Sequence, residues 1–259
     1  MGGGLGMSAT VAQVLELVNG IAPFELAEEW DNVGLLAGRP ESPVERVLCA
    51  LDLRPDVVEE ARRRGCQLIV THHPILFRGR KNLRETDAEG RLLCALVRAD
   101  IAMITAHTNF DNASPGVNDA LAAALGLENV TALENGMRLG EIKETDFGMF
   151  CEEARAALRG PVRCYGDAAR RIRRVAVLGG AGEDFASQAM EAGADAYLTG
   201  EMAYHKGLDA ADNGLCVVEA GHAATEYPAI SLLCRGLQNA ADAVQYDICI
   251  LQSESEVFF

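Results

Sequence analysis

No apolar run in this chain approaches the ~20 residues that a membrane-spanning helix needs; Ala120–Leu125 and Ile248–Leu251 are typical of its longest. No bilayer crossing is expected, and the expected compartment is the cytoplasm. The opening Met1-Gly2-Gly3-Gly4-Leu5-Gly6 lacks the basic and apolar regions of a secretory signal, and a second Met at position 7 marks residues 1–6 as an expected cloning remnant. Cysteine occurs eight times but never as Cys-x-x-Cys, which removes the usual thiolate zinc site. Cys49, Cys94, Cys216 and Cys249 sit in apolar runs and are expected to be buried, reduced thiols. Positive charge is scarce, with 23 Lys and Arg against 38 Asp and Glu, so a net charge of -15 argues against nucleic acid as the main partner. The local group Arg78, Arg80, Lys81 and Arg84 is the exception, and suits either one phosphorylated small molecule or a solvated loop. A Gly-x-x-x-x-Gly-Lys phosphate loop is missing, and the glycine cluster Leu178-Gly179-Gly180-Ala181-Gly182 reads first as a tight strand-to-helix turn.

What is present is an alternation of short apolar runs with amphipathic stretches, the pattern of an α/β protein with a parallel or mixed sheet. The runs predict strands over Arg46–Leu51, Gln67–Thr71, Ile101–Ala106, Val175–Leu178, Ala196–Thr199, Leu215–Glu219 and Val244–Ile250. Pro55 opens a helix carrying Val57, Val58 and Ala61, with Gly65 placed to end it; Ser114-Pro115 opens another that ends near Gly126. The segments 47–71 and 175–199 align without a gap at a constant shift of 128, both reading strand, helix, glycine, strand. At a shift of 115, His107 and Asp111 fall on His222 and Glu226. The chain therefore reads as two similar α/β halves, 7–128 and 129–259.

Of only five histidines, four (His72, His73, His107 and His222) directly follow predicted strands. Ligands in open α/β sheets bind outside the carboxyl ends of strands, where these side chains are expected to project. Imidazole and carboxylate without thiolate suit zinc, iron or manganese. His222 and Glu226 lie four apart, on one face of a helix expected to run from Gly221 into Ile230, Leu232 and Leu233. If His72 and His73 continue their strand, they point to opposite sides, which two neighbouring ions would accommodate, bridged by Glu226 or Asp111. Taken singly, each of these residues also fits an ordinary polar strand exit, turn or helix start; jointly they favour a metal.

The motifs Trp30-Asp31-Asn32-Val33-Gly34, Thr71-His72-His73-Pro74, His107-Thr108-Asn109-Phe110-Asp111, Thr199-Gly200-Glu201 and Gly221-His222-Ala223-Ala224-Thr225-Glu226 occur in this order over nearly the whole chain. The pattern resembles the NIF3-like family of dinuclear metal centre proteins, whose members are also labelled homologues of type 2 GTP cyclohydrolase I. The resemblance implies two intertwined α/β repeats, a dinuclear centre at their junction and a ring-shaped homohexamer. It implies His72, His73, Asp111, His222 and Glu226 as ligands of two divalent ions, with Glu226 touching both. His107 would be a further ligand, or would orient a water or carboxylate beside them. Only residues 131–171 separate the two sets of motifs, so a long insertion carried by some members is absent.

Two functions follow from such a centre. A hydrolase would use paired cations to make hydroxide available near neutral pH for attack on a purine-like ring carbon or an amide of a nucleotide-like small molecule, with His107, Glu201 or His205 moving protons. His205 also reads simply as a partly exposed helix residue. Alternatively, the protein stores, delivers or senses a metal, or acts as an adaptor. The Trp30 loop bears on the choice: at the mouth of the site it would favour substrate binding, whereas the ordinary reading is a capped turn with Trp30 anchored in the core.

Overall fold

The computed structural model describes residues 7–255, so the expected cloning remnant at 1–6 lies outside the described residues. The chain forms two compact units. One comprises the described residues up to Ala113 together with those from Ile230 onward, and the other runs from Ser114 to Ala229. The expected α/β class holds in both.

In the first unit the strands Arg46–Ala50, Leu68–Thr71 and Ala102–Thr105 are almost entirely buried apolar runs, as a sheet covered on both faces requires. They pair in parallel, with Cys249–Gln252 added in parallel at one edge and Gly34–Ala37 antiparallel at the other. The helix Pro55–Arg63 starts on its proline and buries Val57, Val58 and Ala61 against Leu48, Ile69 and Met103. Gly65, at φ +66°, turns the chain out of it in a conformation that a side chain would resist. The edge strand departs from the predicted Val244–Ile250: Val244 is exposed, Gln245 turns at φ +60°, Tyr246 bridges Met7, and pairing with Arg46–Ala50 begins only at Cys249. Cys249 is consequently exposed rather than buried, and Cys94 is half-buried, while Cys49 and Cys216 are buried as expected.

The second unit centres on Arg171–Leu178, Ala196–Thr199 and Cys216–Glu219, again parallel. Antiparallel strands Arg138–Asp146 and Glu128–Ala132 flank them on one side and Arg163–Tyr165 on the other. One face is covered by Phe147, Phe150, Cys151, Ala154 and Leu158, the apolar stripe of the helix Phe147–Leu158. The other face packs Tyr197, Met202, Ala210 and Leu215, and the buried Tyr197 hydroxyl donates to the Gly182 carbonyl at 2.9 Å.

The repeat is visible in the strand registers. Val47 pairs with Leu68 and Val175 with Ala196, each pair related by the shift of 128. The next strand differs by one residue from the sequence spacing of 115: Leu68 faces Ala102 and Ala196 faces Cys216, a shift of 114, and the helices Thr108–Asn112 and His222–Glu226 start at that same offset. His222 is thus the counterpart of Thr108 in position, although the sequence spacing had aligned it with His107.

Candidate metal centre

Three strand ends of the first unit deliver its polar groups side by side. Backbone pairing runs one step past the strands, with His72 N–H donating to Ala50 O at 3.2 Å, His73 N–H to Leu51 O at 3.0 Å and Ala106 N–H to Thr71 O at 3.0 Å. Because the regular strand stops at Thr71, the alternation expected of His72 and His73 does not apply. Their ring centroids lie 4.9 Å apart, and His107 is 5.2 Å from one ring and 5.6 Å from the other. The two histidines are thus not opposed across a strand, and their placement alone does not call for two ions.

Each ring is fixed through Nδ1. His72 Nδ1 donates to the Ala106 carbonyl at 2.9 Å, His73 Nδ1 to Asp52 Oδ1 at 2.8 Å, and His107 Nδ1 to Asp31 Oδ1 at 2.9 Å. A carbonyl and a carboxylate only accept, so all three rings carry a proton on Nδ1, and in the neutral ring the ligand atom is Nε2. Ligand atoms of the three histidines lie within 4.8 Å of one another, close enough to hold a metal ion. His72 is 1% exposed, and its Nε2 stands 3.7 Å from Asp111 Oδ1. The donor set fits a divalent transition metal, and ring partners of this kind are the usual way to orient metal-ligating imidazoles.

Asp31 is a carboxylate held by several donors. Its side chain is fully buried and accepts from His107, from the Thr108 amide at 3.0 Å and from the Thr108 hydroxyl. Burial pushes its pKa up, but hydrogen bonds from His107 and Thr108 outweigh that and hold it well below the usual carboxylate range. Trp30 beside it is 59% exposed, not anchored in a core.

In the second unit His222 opens its helix and Glu226 follows one turn later. Their expected proximity is found, with Nε2 to Oε1 at 3.2 Å. Glu201 accepts from His222 Nδ1 at 2.8 Å, repeating the carboxylate-on-Nδ1 arrangement. Glu226 is 4% exposed. Equal spacing does not give equal pairing, because His107 turns to Asp31 while Asp111 approaches His72. Gly180 has φ +68°, and a Cβ there would collide with Glu226 Oε1. Two amides of the glycine cluster are already engaged within the fold: Gly179 N–H donates to Asn118 Oδ1 at 2.7 Å and Gly180 N–H to Thr225 Oγ1 at 3.1 Å. His205 is exposed on the helix Tyr204–Asp212. Of the basic group, Arg80 is paired with Asp87 at 2.9 Å and Glu89 at 2.6 Å, while Arg78, Lys81 and Arg84 are exposed.

Sequence reading missed Asp52 and gave no role to Asp31. Asp52 had a signal, since it follows the apolar run Val47–Leu51 just as His72 follows Leu68–Thr71.

An α/β protein with orientated histidines at its strand ends belongs to the broad class of candidate metal proteins. The model of the family Duf34/NIF3 (NGG1p interacting factor 3) matches residues 9–256. Proteins called GTP cyclohydrolase 1 type 2 homolog are similar throughout: that of Streptomyces coelicolor is 37% identical over 95% of this chain and 91% of its own. That of Clostridium acetobutylicum is 30% identical over 97% and 98%. The crystal structure of a Bacillus cereus protein related to NIF3 matches with a TM-score of 0.92 at 26% identity, covering 96% of this chain and 98% of that one. The chain belongs to the Duf34/NIF3 family and has its fold. Among the described residues no helix is long and apolar enough to cross a membrane.

Proposed function

We propose that this protein is a metal-dependent hydrolase in which His72, His73, Asp111, His222 and Glu226 are the ligands of a dinuclear centre, with zinc, iron or manganese as the ions. The observation that carries the reading is the common Nδ1 anchoring of His72, His73 and His107, three histidines whose ligand atoms lie within 4.8 Å of one another. Bound divalent cations would supply Lewis acidity and lower the pKa of water toward neutrality. Asp31 holds the His107 ring so that Nε2 can take up a proton, and the Asp31 carboxylate stabilises the imidazolium that results. Glu201 holds His222 in the same tautomer and is a positioning residue rather than a proton carrier. The names of the relatives suggest cyclohydrolase-type opening of a ring amide as the reaction class.

The test is elemental analysis of protein purified without chelator or immobilised nickel, beside His73→Ala and Glu226→Ala, with a hydrolase screen over nucleotides, cyclic amides and phosphoesters. Two divalent ions per chain, lost in both variants together with turnover, support the hydrolase. Unchanged metal content in both variants rejects the site. A second reading, metal storage or delivery or an adaptor role, draws on the accessibility of the His222 side chain, which is 36% exposed and open to exchange. Two ions with no turnover on any substrate would choose it. The ring-shaped homohexamer is part of the same proposal, and sedimentation as a stable monomer would refute it.

A further inference from the structure

We propose that Trp30 and Phe77 form a stacking platform for a planar heteroaromatic ring bearing an anionic group, and that this ring is the recognition element of the substrate. The inference rests on the hydrolase reading only for the word substrate; the platform itself stands on geometry within the first unit.

Trp30 is 59% and Phe77 46% exposed, both large apolar surfaces in water. Their ring centroids lie 5.6 Å apart at an interplanar angle of 62°, and each centroid is 6.3 Å from the His107 ring. The aromatic pair therefore adjoins a histidine of the candidate centre. At 5.6 Å no third ring fits between them, so a ligand ring lies across their exposed surface, stacked on one and meeting the edge of the other.

Both aromatics are held from behind. Asp31, next to Trp30, is buried in its bonds to His107 and Thr108, and Asn32 Nδ2 donates to the Leu76 carbonyl at 2.6 Å, tying the Trp30 loop to the residue preceding Phe77. A platform whose backbone is fixed before binding loses little further conformational freedom when a ligand arrives. Charge selects the ligand further. On a chain of net charge -15, Phe77 is followed by Arg78, Lys81 and Arg84, exposed cations for which no ion pair occurs among the described residues. Exposed cations after Phe77, with the exposed Glu28 and Glu29 before Trp30, favour a ring whose phosphate or carboxylate lies on the Phe77 side of the platform.

The chain has a single tryptophan, so its fluorescence reports Trp30 alone. The experiment titrates the full chain with guanosine 5′-monophosphate, adenosine 5′-monophosphate and ribose 5-phosphate, exciting at the red edge of indole absorption, with N-acetyltryptophanamide as the collisional control. We expect saturable quenching by the nucleotides, none by ribose 5-phosphate, and binding about tenfold or more weaker in Phe77→Ala. Calorimetry on Trp30→Ala gives the matching loss without the fluorophore, and both positions are exposed enough for the variants to fold. Linear quenching equal to the control, or affinity unchanged in both variants, overturns the platform. So does a Phe77→Ala variant that sediments as a smaller species than the parent and binds nucleotide unchanged, because the patch then covers a second copy. Elemental analysis of the same samples separates the two ideas: saturable ring binding without metal sinks the hydrolase and keeps the platform, whereas metal with turnover and no ring binding does the reverse.

Discussion

Asp31 and His107 lie 76 positions apart in the chain and 2.9 Å apart in the fold, and the carboxylate of that pair has no solvent exposure. The pair sets which nitrogen of His107 carries the proton, and Thr108 supplies two further donors to the same carboxylate. Asp31→Ala leaves those buried donors without their acceptor. We expect a loss of about 1–3 kcal/mol of stability by urea denaturation. Asp31→Asn, which keeps the shape, should lower turnover more than it lowers stability.

The second prediction concerns the carboxylates behind the rings. Asp52→Ala and Glu201→Ala release His73 and His222 from their Nδ1 partners without removing a proposed ligand. Metal affinity should fall about 10–100-fold in each, measured by competition with a chromophoric chelator, while far-UV circular dichroism stays unchanged. Affinity equal to that of the parent would mean that the rings are held by packing alone.

Gly180→Ala tests whether the second unit needs its glycine. The backbone there sits at φ +68°, and the new methyl meets Glu226 Oε1. We expect about 1 kcal/mol of destabilisation from the backbone alone. Displacement of Glu226 should also reduce metal content. A crystal structure with Glu226 unmoved would overturn this account.

Acid should loosen the first unit through Glu60. Its carboxylate, 5% exposed, accepts from Ser253 Oγ at 2.6 Å, Arg64 Nη1 at 2.6 Å and the Glu254 amide at 3.1 Å. Burial raises its pKa, but those three partners together bring it below its ordinary value. A depressed folded pKa means that the stabilisation is present above the unfolded pKa of about 4.3 and is lost as pH falls through the folded one. Thermal melts of Glu60→Gln should therefore be lower than the parent at pH 7 and converge on it in acid.

Much of the centre was legible because strand ends are easy to find. Val47–Leu51, Leu68–Thr71 and Ala102–Thr105 are continuous buried apolar runs, and the residues that follow them are the ones that meet. The family motifs placed the fold. The strand Arg138–Asp146 escaped notice because beyond Gly140 it is mostly charged, and its side chains answer a neighbouring strand: Glu141 pairs with Arg173 at 2.9 Å and Glu144 with Arg171 at 3.1 Å. Such cross-strand pairing has no periodicity within either segment. Trp30 misled for a related reason, since hydrophobicity predicts burial and gives no sign of an aromatic held open beside a polar cluster.

The strand Cys249–Gln252 closes the edge of the sheet that carries His72, His73 and His107, pairing with Arg46–Ala50, which lies 203 positions earlier in the chain. On the ribosome this order has a cost. The sequence from Ser114 to Ala229 emerges and can complete its own unit while the earlier one still shows the unpaired edge of Arg46–Ala50. The half of the molecule that is begun first is finished last, and for that interval it depends on whatever shields a nascent sheet edge from its neighbours.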